Sequence, residues 1–105
     1  MPQVTLKNVS RKDAVKLASV IAGRVSEIIE VPKNHIVVEF SETSFFRGGI
    51  EDLDSAMAWI CWKKRGPDMQ KKVASALADI LKGAGYSPVE IIYDNLDMDD
   101  FYEFK

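Results

Sequence analysis

The sequence of 105 residues holds one cysteine, Cys61, and one histidine, His35. A single cysteine excludes an intrachain disulfide and any cysteine metal cluster, and a reducing, cytoplasmic setting fits. One histidine by itself makes no metal site. No apolar run approaches the ~18–20 residues of a membrane-spanning helix, and the first residues lack the charged and apolar regions of a secretory signal. Charge of one sign is missing as well: 14 Lys and Arg face 16 Asp and Glu, a formal net charge of −2. That balance gives no reason to expect a nucleic acid or an anionic membrane as partner. The acidic run Asp97–Asp100 lacks calcium-loop spacing. Arg47-Gly48-Gly49 is a single copy of a motif that nucleic-acid binders repeat, and reads as a turn. No metal and no cofactor are expected.

What is present is an ordinary globular composition, 47% hydrophobic and 29% charged, long enough for one domain, residues 1–105, with a modest core. Two segments have helical period. In the first, Arg11 to Glu30, Ala14, Leu17, Ala18, Ile21, Ala22, Val25, Ile28 and Ile29 share one face. Ser10 is its N-cap, with Asp13 as the capping-box acid. The second, Pro67 to Lys82, has Pro67 in its first turn, Asp68 at the positive end of its dipole, and Gly83 and Gly85 as stop signals. Strands are expected at Val4–Leu6, His35–Phe40, Ala56–Trp62 and Val89–Tyr93. The nearly unbroken apolar run of the third reads as a strand covered on both faces. Between Ser41 and Ser55, Phe45, Phe46 and Gly48-Gly49 suggest a hairpin or extended arm. The tail, Phe101 to Phe104, is aromatic enough to dock on something.

The order is strand–helix–strand twice, and the two helical faces match at an offset of 56 residues, Leu17 with Val73 through Val25 with Leu81. This predicts an α+β fold: duplicated β-α-β units, each with a right-handed crossover, forming a four-stranded mixed sheet with both helices on one face. The other face would carry His35, Val37, Glu39, Glu90 and Ile92, a mixed surface that oligomerisation could cover.

Pro2 stands at the head of the first strand. If Met1 is removed, Pro2 carries a free secondary amine, the one unusual catalytic group in the chain. Pro2 opening two β-α-β units resembles the tautomerase superfamily, which includes 4-oxalocrotonate tautomerase and macrophage migration inhibitory factor. The segment Val31-Pro32-Lys33-Asn34-His35-Ile36-Val37-Val38 looks like that family's helix-to-strand junction. The block Trp62-Lys63-Lys64-Arg65-Gly66, then a helix, then Ala84-Gly85-Tyr86, is similar to an uncharacterised bacterial branch.

The resemblance implies a homotrimer with an active site at each subunit boundary. It implies an isomerase, a keto–enol tautomerase, with Pro2 as general base on a small 2-oxo or enol acid. Arg65 and Lys64 are then the candidate donors to the substrate, His35 a pocket candidate, and Trp62 and Phe46 candidate apolar walls. Family cations would fall at Val31 and Val37, which are apolar. The pocket tyrosine of migration inhibitory factor would fall at Glu90, an acid that near Pro2 would raise the amine's pKa. These departures define the alternative, a non-catalytic trimeric binding protein on the same scaffold. A ferredoxin-like module, such as an RNA-recognition domain, shares the element order but not the basic-Gly-aromatic strand pattern.

Overall fold

The computed structural model describes residues 1–105. Its elements are β1 (Gln3–Lys7), α1 (Arg11–Ile29), β2 (Val37–Ser41), β3 (Phe45–Arg47), β4 (Ile50–Asp52), β5 (Ala56–Lys63), α2 (Pro67–Gly83) and β6 (Val89–Leu96), with single 3-10 turns at Lys33–His35 and Met98–Asp100. The main sheet runs β2-β1-β5-β6. β1 and β2 are parallel, as are β5 and β6, and the central β1–β5 pair is antiparallel. Each β-α-β half therefore supplies one parallel pair, and the halves meet head to tail at the centre. The expected α+β architecture holds.

Alternation within the strands decides which side faces the helices. Val4, Leu6, Ala56, Ala58, Ile60 and Trp62 point to that side, where they meet Ile21 and Val25 of α1 and Val73, Leu77 and Leu81 of α2 in one buried core. Full burial of a side chain such as Leu6 or Ile60 is worth about 1.5–3 kcal/mol each, so this layer is what holds both helices to the sheet.

Helix α1 starts as expected: the Ser10 Oγ accepts the Asp13 N–H at 3.1 Å. The reciprocal half of the capping box is different. The Tyr86 hydroxyl, arriving after α2, accepts the Ser10 N–H at 3.0 Å and donates to the Asp13 carboxylate at 2.5 Å. A tyrosine distant in sequence thus stands between the cap and its acid and ties the two halves of the fold together. Lys33 lies over Gly23, where a Cβ would meet its stem in ordinary contact at 3.7 Å, and the Lys33 Nζ donates to Ser19 at 2.7 Å.

Three expectations are corrected. β2 begins at Val37, because Pro32 to His35 closes a turn first: the His35 N–H donates to the Pro32 carbonyl at 2.9 Å and the Ile36 N–H to the Lys33 carbonyl at 3.1 Å. His35 is therefore in a turn and not in the strand. β6 continues to Leu96, beyond Tyr93. The apolar run of β5 is fully buried only toward the helices; Met57, Trp59 and Cys61 on the other side are half-buried. That open face is a grid whose rows are Val37–Gln3–Cys61–Asp94, Glu39–Thr5–Trp59–Ile92 and Ser41–Lys7–Met57–Glu90.

The Ser41–Ser55 segment is the expected hairpin, β3 paired with β4 around Gly48 and Gly49, whose φ values of 60° and 82° suit glycine. Asn8, itself left-handed at φ 61°, anchors it. Its Nδ2 donates to the carbonyls of Asp52 (2.8 Å) and Ser55 (2.9 Å), and its Oδ1 accepts the Phe45 N–H at 3.3 Å.

Candidate functional site

Strand direction sorts the candidate residues into two groups at opposite ends of the sheet. At one end lie the start of β1, the start of β2 and the finish of β5 and β6. Pro2 is there, fully buried, with its carbonyl accepting the Val37 N–H at 3.0 Å. His35, exposed, lies two residues before the start of β2 at this end. Lys64, exposed, and Arg65, half-buried, follow β5 directly. The Arg65 Nη1 donates to the Lys63 carbonyl at 2.9 Å, and its guanidinium lies 5.1 Å from the centre of the Trp62 ring. Burial pulls the Arg65 pKa below its ordinary value.

Trp62 is at the same end, on the helix side of the sheet. It is fully buried, stacked on Tyr93 with centroids 4.8 Å apart, and its Nε1–H donates to the Asn95 Oδ1 at 3.0 Å. It is a core residue, and Arg65 lies over its ring. Tyr93 in turn donates its hydroxyl to the Gln70 carbonyl at 2.5 Å, and burial pushes its pKa up to about 12.

On the open face at this end, Cys61 pairs with Gln3 on one side and Asp94 on the other. Burial first, then the Asp94 charge, raises the thiol's pKa, which makes it a poor nucleophile. Glu39 accepts from the Gln3 Nε2 at 3.2 Å and the Thr5 Oγ1 at 2.7 Å.

The second group sits at the far end. Phe46 and Glu90 line a cleft of about 360 Å³ with Ser44, Phe45, Arg47 and Met57. Glu90 shares the Lys7 row of the sheet, two strands away from β1. Strand spacings put it roughly 16 Å along and roughly 10 Å across from Pro2 of its own chain. Within one subunit Glu90 therefore does not sit beside the Pro2 nitrogen, and at that separation its charge is largely screened.

Glu90 is also paired. The Arg47 Nη2 donates to it at 3.1 Å, while the Arg47 Nε donates to the Asp52 Oδ2 at 2.9 Å. Asp52 accepts further from the Ser55 hydroxyl at 2.6 Å and from the Asp54 and Ser55 N–H groups at 3.0 Å each. The Ser55 hydroxyl and then Arg47 hold the Asp52 carboxyl well below the usual range, and Asp52 and Glu90 raise the Arg47 pKa. Reading Arg47 as part of a bare turn misses this network, because its partners lie 5 and 43 residues away. Asn95 escapes the sequence reading for a similar reason: only the β5–β6 register sets it opposite Trp62.

A groove of about 790 Å³ lies between the helices and is lined by both charge signs, including Arg24, Asp68, Lys71 and Asp79. No cluster of His, Cys, Asp and Glu is arranged to hold a metal ion, and no helix is long and apolar enough to cross a membrane.

Two β-α-β units, a mixed sheet with helices on one face, and a proline at the head of a central strand define the fold of the tautomerase and macrophage migration inhibitory factor superfamily. Solved structures bear this out. The macrophage migration inhibitory factor from Trichinella spiralis superposes with a TM-score of 0.76 at 20% identity, over 96% of this chain and 95% of that one. The protein Pt0534, solved as inactivated by 2-oxo-3-pentynoate, superposes at 0.75 with 13% identity, over 95% and 88%. A domain of unknown function (DUF1904) from Sebaldella termitidis ATCC 33386 superposes at 0.89 with 23% identity, over 98% and 95%. Residues 1–104 match the family described as Domain of unknown function (DUF1904), and the chain belongs to that family. No curated protein matches the sequence.

Proposed function

We propose that the chain is a keto–enol tautomerase of a small 2-oxo or enol acid, working as a homotrimer with Pro2 as general base after loss of Met1. The observation that carries this is the gathering of Pro2, His35, Lys64 and Arg65 at one end of the sheet. A free α-amino group has a pKa of about 7.7–8.0. A closed, desolvated site disfavours the charged form of such an amine and brings it toward neutral pH, where a base is most effective. The amine carries a proton between the carbon next to the oxo group and the oxygen: in enolisation it takes the proton from that carbon and gives it to the oxygen, and in ketonisation it takes it from the enol hydroxyl and gives it to the carbon. Arg65 or Lys64 stabilises the developing enolate oxygen and the substrate carboxylate. A 2-oxo acid is the chemistry that this pairing of base and cation fits, and 2-oxo-3-pentynoate, which inactivates Pt0534, belongs to that class.

Trimer formation is supported by the open face. Val37 and Ile92 there are 50% and 37% exposed, beside half-buried Met57 and Trp59. Assembly on this face would cover them. It would also be the way for the Phe46–Glu90 cleft of one copy to approach Pro2 of another, which a single chain cannot arrange. Light scattering tests the stoichiometry.

The test of activity uses protein shown by mass spectrometry to lack Met1, and follows ketonisation of an arylenolpyruvate. Wild type is expected to turn it over, and Pro2→Ala to lose about 100-fold or more. No rate above buffer across a panel of such acids would sink the reading. The non-catalytic trimeric binding protein then takes its place. Val31 and Val37 at the family's cationic positions favour it, as would retention of Met1 in protein purified from its native host.

A further inference from the structure

The two arginines near the candidate site are held in opposite ways. Arg47 is spoken for, ion-paired with both Asp52 and Glu90. Arg65 has no carboxylate within ion-pairing distance, and its one hydrogen bond inside the chain goes to the Lys63 carbonyl. A guanidinium has five N–H donors in a rigid planar fork, so most of those of Arg65 are uncommitted. The group is nevertheless half-buried, and a cation desolvated without a counter-charge is costly. A planar carboxylate, taking two parallel N–H donors, is the ligand that would offset this cost.

Beneath that fork lies the Trp62 ring, 5.1 Å away. The ring has two partners of its own: Tyr93 stacks on it and Asn95 accepts its indole N–H. Phenylalanine would fill the same volume without needing an acceptor; the indole brings a donor that burial obliges to find one. Asn95, on an otherwise exposed position of β6, supplies it because the register sets it directly opposite Trp62. The contacts therefore run from Asn95 to Trp62 to Arg65.

The geometry points to Asn95 and Trp62 as positioning residues that hold the Arg65 fork for the carboxylate of a 2-oxo acid. This rests on the reading of Arg65 as the substrate-binding cation and extends it to two residues that touch no substrate. It makes the orientation of Arg65, and not its charge alone, the determinant of carboxylate affinity.

The experiment titrates 2-oxobutanoate, with 2-butanone as the carboxylate-free control, into 15N-labelled Trp59→Phe protein, in which Trp62 is the single indole. Calorimetry on the unsubstituted chain gives the same affinity without that change. The acid is expected to shift the Trp62 indole resonance saturably and the ketone to leave it in place. Arg65→Ala weakens binding about tenfold or more, as loss of a charged hydrogen-bond donor does, and Arg65→Lys restores part of it. Asn95→Ala weakens binding several-fold with Arg65 present and has no further effect in Arg65→Ala protein. Absence of binding by the parent protein, an equal response to the ketone, or the same Asn95→Ala loss with and without Arg65 would overturn the inference. If the Arg65–Asn95 coupling holds but the parent protein ketonises none of the enol acids above the buffer rate, the tautomerase reading fails alone. If Pro2→Ala abolishes turnover and the coupling is absent, this inference fails alone.

Discussion

Replacing Asn8 by alanine should unseat the hairpin from the sheet. Its side chain makes two short hydrogen bonds, to the carbonyls of Asp52 and Ser55, and one longer bond from the Phe45 N–H. At about 1 kcal/mol net for each good bond, the two short ones contribute about 2 kcal/mol. Asn8 also sits at φ 61°, where any Cβ, that of the parent asparagine included, costs about 1 kcal/mol and glycine costs nothing steric. Asn8→Ala is therefore expected to lose about 2 kcal/mol and Asn8→Gly about 1 kcal/mol, the gap being the backbone term. The bond from the Asn8 N–H to the Thr43 Oγ1, at 2.8 Å, involves the main chain and survives in both variants. For a domain of this size about 2 kcal/mol corresponds to about 8 °C or more in Tm. Urea unfolding followed by circular dichroism measures it, at matched protein concentration because assembly would make the midpoint concentration-dependent. A loss below about 1 kcal/mol for alanine, or equal losses for alanine and glycine, would refute the reasoning.

Two further outcomes can be checked. Tyr86→Phe removes the hydroxyl between Ser10 and Asp13 and is expected to cost about 1–3 kcal/mol, since a charged partner is involved; a Tyr86→Phe protein as stable as the parent would show that water replaces the hydroxyl. Asp52 has a depressed folded-state pKa, so the stability it contributes is fully present above its unfolded value of about 3.9 and is lost as pH falls toward the folded value. Asp52→Asn should therefore flatten the fall of unfolding free energy below about pH 4, and an unchanged slope would assign the acid lability to other carboxylates.

Asn8 and Tyr86 also show where reading the chain residue by residue stops. Ser10 and Asp13 announce a helix start, and the helix forms there. Yet the capping is completed by a tyrosine 76 residues from Ser10, which no local pattern could indicate. The hairpin was legible from Phe45, Phe46 and the paired glycines, whereas its anchor, a single asparagine ahead of α1, was not. His35 looked like the opening of a strand because Ile36, Val38 and Phe40 alternate after it; the turn that Pro32 begins takes up its amide first.

The sequence by itself determined the element order, the two apolar helix faces, the duplicated β-α-β pattern and the position of Pro2 at a strand head. These are properties of short stretches of chain, where 2.0 and 3.6 residue periods decide which side chains share a face. Only the tertiary structure decided the company each residue keeps. Strand direction brought His35, Lys64 and Arg65 to the Pro2 end and carried Phe46 and Glu90 to the other. The β5–β6 register set Asn95 against Trp62 and so placed a tryptophan read as a pocket wall beneath Arg65 in the core. Pairing across a sheet is fixed by the packing of the whole molecule against its helices, and no local period encodes it.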